Sequence, residues 1–244
     1  MNKDKNKPDE YGVDEYGVDE YDVKIDAWDI YQKMYKNNLH FKVSSVIRDS
    51  GRPYIECQFE HNGKSTSKMK FSGETDFNFS NEHKRELHRS RYENYKKILE
   101  RDLACEPTLE TYLKLLDECM EMHHSQENVS IMLQTGNIQG SKGSIGLDRL
   151  DVWLLILLMR YKYNVNLLQN HCTMENCSAI EDFLDLFDNV YDYANTIYHI
   201  DRKLVNDLID SGKRALDSAY NLINYMLLAK RFWKQKRRYL ENHK

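Results

Sequence analysis

The sequence predicts an α+β protein, predominantly α: a small N-terminal antiparallel sheet followed by a helical, bundle-like body. Three observations carry that prediction. Only 3 prolines and 10 glycines occur in 244 residues, which leaves long stretches free of helix breakers. Apolar alternation of period two is confined to residues 39–72. From residue 80 onward, apolar residues recur at three- and four-residue spacing.

A hydrophobic fraction of 41% supplies a core, and 30% charged residues give a strongly polar surface. The net charge of -4 argues against a globally basic nucleic-acid footprint, though not against a local one. The five cysteines are Cys57, Cys105, Cys119, Cys172 and Cys177, and the charged opening MNKDKNKPDEYG has no apolar leader region. The expectation is a reduced, cytoplasmic protein with free thiols. The longest strictly apolar run, Val152 to Met159, is far short of the roughly 20 residues of a spanning helix, so no membrane span is expected.

Residues 1–24 are expected to be a disordered acidic tail. Its core, residues 9–23, is a five-residue repeat, DEYGVDEYGVDEYDV. Five matches neither the helical nor the strand period, so the repeat cannot place one apolar face on a regular element. Its functional reading is a docking peptide for a basic partner, the basic end of this same chain included. Residues 25–244 are expected to form a single α+β domain, β-rich at 39–72 and helical from 80 to 241.

Within that domain, Trp28, Ile30, Tyr31, Met34 and Tyr35 predict a short helix over 25–37. Strands are predicted at 39–47, 53–60 and 66–72, with turns at Ser50-Gly51 and at Asn62-Gly63, a hairpin pair. Ser80 or Asn81 caps a helix running to about 102, whose Lys and Arg residues interleave with glutamates. Pro107 suits the start of an amphipathic helix at 108–123 that ends in His123-His124. The stretch His171 to Cys177 holds metal-capable residues, but Cys172-x4-Cys177 stands alone without a second pair, and no metal ligands are assigned. One helix is predicted over 180–199 with an acidic polar side, a short one over 203–210 closed by Ser211-Gly212, and a long one over 213–241. The last ends in Lys230, Arg231, Lys234, Lys236, Arg237 and Arg238, with Phe232, Trp233 and Tyr239 among them. Basic residues between aromatics suit single-stranded nucleic acid or a membrane surface, and equally a solvated helix end.

The chemistry of the chain concentrates between Leu133 and Tyr161. Gly136, Gly140, Gly143 and Gly146 space a polar loop that feeds the most apolar run in the protein. Glycines let backbone N–H groups approach a ligand, and the following helix start offers unpaired N–H groups and partial positive charge. Asn137, Gln139, Lys142 and Arg149 are therefore the candidate ligand-binding residues for an anion, a nucleotide included. Asp148 and Asp151 are the candidate catalytic residues, as acid/base or metal ligand. They equally suit an N-cap and an N3 acid, and Arg149 suits a pair with an acid of the 181–192 segment. The loop is not a Walker motif: no G-x4-G-K-[ST] occurs, because Lys142 precedes its glycine and no Ser or Thr follows it directly, and no cofactor is named by any motif.

Lys142, Gly143, Asp148, Arg149, Asp151, Arg160 and Tyr161 together resemble the central motif of an uncharacterised bacterial domain family. There a basic-Gly pair precedes a D-R-F-D helix that ends in basic residues and Tyr. FLDLFDNVYDY at 183–193 and the basic C-terminal helix resemble further parts of it. The spacing from the basic-Gly pair is shorter here, and Leu150 stands in place of Phe. The family has no established activity, so the resemblance implies a fold region and no chemistry.

Three functions follow as expectations. The first is a cytoplasmic bacterial or phage accessory protein that binds an anionic, nucleotide-like ligand at the loop 134–151. The second is a non-catalytic interaction protein of phage defence or counter-defence, working through its acidic N-terminal repeat or basic C-terminal helix. The third is RNA binding through the basic faces at 84–101 and 230–238.

Overall fold

The structure is a computed structural model that describes residues 35, 39–49, 52–72, 82–123, 149–165, 167 and 174–242. The acidic repeat, most of the 25–37 segment, the loop 134–148 and the region of His171 lie outside the described residues. What is described is a predominantly helical α+β fold, with a small antiparallel sheet on the N-terminal side.

The sheet is built on β2 (Arg52–His61), which pairs on one edge with β1 (His40–Asp49). Their register runs from His40 opposite Glu60 to Asp49 opposite Arg52, with an irregularity between Val43 and Ser45. The other edge of β2 is shared by β3 (Lys64–Ser65) and β4 (Met69–Ser72). The three-strand reading thus has the right rows, but the third row is interrupted. Thr66 makes the interruption: its N–H reaches the Phe59 carbonyl, and its Oγ1 accepts from the Phe59 N–H at 3.0 Å. The side chain so replaces one rung of the ladder. The hairpin prediction at Asn62-Gly63 holds, with φ of 50° and 74° at its two central residues. Two positive φ values define the turn whose twist matches antiparallel strands, and Asn-Gly is the pair that adopts them most readily.

Seven helices follow among the described residues: α1 (Glu82–Leu103), α2 (Leu109–His123), α3 (Leu150–Tyr163), α4 (Met174–Leu184), α5 (Val190–Tyr198), α6 (Arg202–Gly212) and α7 (Ala219–Asn242). The central one is α3, which buries Leu150, Trp153, Leu154, Ile156 and Leu157. Its most extensive helix neighbour is α6. Its far end stops at Asn164, which takes the left-handed conformation that asparagine tolerates. Arg160 then fixes that end on α4, with Nε 2.8 Å from Glu181 Oε2 and Nη2 2.5 Å from Asp185 Oδ1.

Two helix predictions are corrected. The single helix over 180–199 is two helices, α4 and α5, broken at 185–189. The Asn189 side chain accepts from the N–H groups of Tyr191 and Asp192, so it starts a new helix where the apolar period runs on unbroken. The break turns both Leu186 and Phe187 into the core. The long last helix begins at Ala219 rather than Lys213. Its start is set by Ser218, whose hydroxyl accepts from the Asn221 N–H at 3.4 Å, and from a distance by Asp102 at the end of α1, which accepts from the Ala219 N–H at 2.8 Å.

The acidic side of the α4–α5 segment holds the sheet. Ser67 donates its N–H and its hydroxyl to Asp182, Lys64 pairs with Asp188 at 2.8 Å, and His61 and Asn62 reach Asp192. Beneath these contacts Phe59 meets Phe183 edge-on at 5.0 Å, and His61 lies 5.1 Å from Phe187. Edge-to-face rings continue inward through Phe187, Tyr193, Tyr198 and Phe232. Part of the tyrosine richness of the sequence is therefore core material: Tyr35, Tyr95, Tyr193, Tyr198 and Tyr225 are all buried.

Candidate functional site

Of the residues proposed from sequence, the structure describes Arg149 and Asp151 and brings them together. Asn137, Gln139, Lys142 and Asp148 lie outside the described residues. Arg149 precedes the first turn of α3, and its guanidinium grips Asp151 with both ends: Nε to Oδ1 at 2.6 Å and Nη2 to Oδ2 at 3.0 Å. Asp151 is also bound by the Val152 N–H at 2.9 Å and by the Ser211 hydroxyl at 3.3 Å. Neither charge reaches solvent: Arg149 is 3% exposed and Asp151 0%.

This differs from the pairing expected from sequence. The partner of Arg149 is its own helix's acid two residues on, and Arg160 takes the acids of the later segment. Asp151 sits in the second helical position rather than the third, and it satisfies a helix N–H there. Its oxygens accept four hydrogen bonds from fixed donors. That arrangement locks Arg149 and the first turn of α3 to α6, and it offers no open lone pair to a substrate.

Burial works against the Arg149 charge, but the Asp151 carboxylate outweighs it and holds the guanidinium above its ordinary value. Burial pushes the Asp151 carboxyl up, against the pull of Arg149, the Val152 N–H and Ser211. The two-pronged geometry and the further donors make this an ionised pair at neutral pH. The Tyr225 ring of α7 packs against it, 5.2 Å from the Arg149 guanidinium carbon. Burial also pushes the phenol of Tyr95 on α1 up.

Ser211 connects this buried node to the surface. It lines a groove of about 720 Å³ between α6 and α7. The groove carries Arg214, Lys230, Arg231 and Lys234 against two acids, Asp207 and Asp210. Arg231 is paired with Asp207 at 2.9 Å, Lys230 with Glu118 on α2, and Asp210 with Lys213 at 2.7 Å. Among the described residues, no ion pair holds Arg214 or Lys234, both exposed. Leu227, 48% exposed, gives the wall an apolar step. The groove therefore presents two cations held in no ion pair, of which Lys234 still acts on Glu118 from a distance, together with amide side chains and the apolar Leu227 and Leu228.

The basic and aromatic end of α7 resolves differently from its composition. Phe232 and Trp233 are buried at 1% and 0%, Lys236 is buried beside Phe232, and Tyr239 stacks on His199 at 3.6 Å. The aromatics belong to the core, and the exposed residues of that end are Arg231, Lys234, Arg237 and Arg238. Sequence reasoning missed Ser211 and Arg214 as members of a site. Ser211-Gly212 reads locally as a helix stop, and only the packing of α6 on α3 shows what it touches.

Among the described residues, no group of three or more His, Cys, Asp or Glu is placed to hold a metal ion. None of their helices is long and apolar enough to cross a membrane. No protein-family model, curated protein or solved structure matches the chain.

Proposed function

We propose that this protein binds an anionic ligand, a phosphate-bearing molecule of the nucleotide class, at the end of the body where the glycine loop enters α3 and the α6–α7 groove opens. The observation that carries the reading is Ser211, which binds Asp151 in the first turn of α3 and lines the groove. Arg214 and Lys234 supply positive charge, and Lys142 with Asn137 and Gln139 would add donors from the loop. In this reading Arg149 and Asp151 position the site and do not touch the ligand. Asp148 is the remaining candidate for acid–base chemistry, and the proposal is of binding. A role as a cytoplasmic accessory protein of a bacterium or phage fits such a ligand.

The test is calorimetric titration of the full chain with ATP and with inorganic tripolyphosphate, repeated on Arg214→Ala with Lys234→Ala. The reading expects binding that weakens at least tenfold in the double variant, with the melting temperature unchanged. Absence of binding to both anions, together with no anion retained in native mass spectrometry of the purified chain, overturns it.

A further inference from the structure

We infer that the acidic repeat at residues 9–23 occupies the α6–α7 groove of its own chain, as an internal competitor for the anion. The inference rests on the proposed function only for what the repeat displaces; occupation of the groove stands on charge, surface chemistry and reach.

The repeat carries Asp9, Glu10, Asp14, Glu15, Asp19 and Glu20 in pairs five residues apart, with Asp22 as a seventh acid. The groove carries Arg214 and Lys234 free of ion pairs among the described residues, flanked by Lys230 and Arg231. Along α7, Tyr220, Asn224, Leu227, Arg231 and Lys234 follow three- and four-residue steps, so they share one face. Tyr220 is 70% exposed and Leu227 48%, so this face is apolar at its start and basic farther on. Each repeat unit sets a tyrosine directly after its acid pair, and valine is the other apolar residue it offers. A peptide of that composition matches a face that is part apolar and part basic. A purely acidic run would leave Tyr220 and Leu227 uncovered.

Reach decides between the chain's own repeat and another copy's. Tyr35, which follows the repeat, lies 5.7 Å from His199 ring to ring, and His199 stacks on Tyr239 of α7 at 3.6 Å. From Tyr239 back to Lys234, at the basic end of the groove, is about 8 Å along the helix, at roughly 1.5 Å per residue. The residues between the repeat and Tyr35 span about 16 Å in the helix their pattern predicts, at roughly 1.5 Å each. The basic end of the groove is thus within reach of the last repeat unit in cis. A tethered occupant acts at an effective concentration on the order of 1 mM, so a docking Kd of about 1 mM fills roughly half of the grooves.

The test is zero-length carbodiimide cross-linking of the full chain at low salt, read by mass spectrometry. The expected result is bonds from the repeat carboxylates to Lys230 and Lys234, at least fivefold enriched over those to the exposed Lys114 and within single chains. In Arg214→Glu with Lys234→Glu the bond to Lys230 should be lost. Bonds spread evenly over surface lysines, or found only between two chains, overturn the inference. A second full-length variant converts the seven acids of the repeat to Asn and Gln. Occupation predicts that its affinity for ATP rises several-fold over the parent, and an equal affinity overturns the competition. If neither chain binds ATP, the anion reading fails while the cross-links still decide whether the repeat is in the groove.

Discussion

A Cβ on Gly212 would stand 2.4 Å from the carbonyl oxygen of Asp151, so the end of α6 lies directly against the first turn of α3. The neighbour is backbone, which cannot rotate aside as a side chain could. Gly212→Ala should therefore separate the two helices and cost about 1–3 kcal/mol, the range of an overpacked core. Urea unfolding of the two chains measures it. The loss should come with a weakened Ser211–Asp151 contact, so anion binding in the groove should fall as well.

The Arg149–Asp151 pair makes a second prediction through asymmetry. Removing one partner leaves the other charged and buried, which costs about 3–5 kcal/mol, whereas replacing both with apolar residues of similar size is often far milder. Arg149→Met and Asp151→Leu should each lower stability severely, and the double variant should recover much of the loss. A double-mutant cycle by chemical unfolding tests this. Additive losses would mean that the two side chains act separately.

That pair also shows what the sequence could and could not reveal. Residues with local causes were legible: the Asn62-Gly63 turn, the strand rows and the apolar α3 follow from turn chemistry and period. The break at Asn189 was not, because Phe183, Phe187, Val190 and Tyr191 keep helical spacing across it, and the capping side chain is a single residue within that pattern. The start of α7 was only partly legible: Ser218 caps it locally, but Asp102, which also holds its first N–H, belongs to another helix. For the site, sequence identified Arg149 and Asp151 as unusual, but it could not show that they satisfy each other. Ser211 enters the site only through the packing of α6 on α3.

Thiol chemistry should sort the cysteines by environment. Cys105 is exposed, Cys119 is buried, and burial pushes the Cys119 thiol up to about 12. The thiolate is the nucleophile, so Cys119 is shielded both by packing and by protonation. In the folded chain at pH 8, iodoacetamide should modify Cys105 at least a hundredfold faster than Cys119, read by peptide mass spectrometry. In urea the difference should vanish, and a persistent difference there would remove burial as its cause.

Acid stability should depend on carboxylates that cap helices. Asp201 accepts from the Leu204 N–H at 2.8 Å and from Gln235, and the backbone bond first of all holds its carboxyl below the ordinary value of 3.8. Asp102 is likewise lowered, by Arg101 first and then by the Ala219 N–H. A lowered folded value means that the stabilisation is present above the unfolded pKa and is lost as pH falls through the folded one. The protein should thus hold its stability from neutral pH down to the ordinary carboxylate range and lose it progressively below about pH 4. Asp151 acts in the opposite sense: burial raises it, so its term is in place below 3.8 and shrinks as pH rises through the folded value. Acid unfolding therefore starts at the caps and not at the buried pair. Because Asn caps about as well as Asp, Asp201→Asn should stay within about 0.5 kcal/mol of the parent at pH 7, while Asp201→Ala loses about 1 kcal/mol. Below pH 4 the Asn variant should lose less stability than the parent, because it has no proton to take up at that position. Urea unfolding at pH 7, 5, 4 and 3 measures the series, and parallel acid losses in parent and Asn variant would rule out Asp201 as a source of the acid sensitivity.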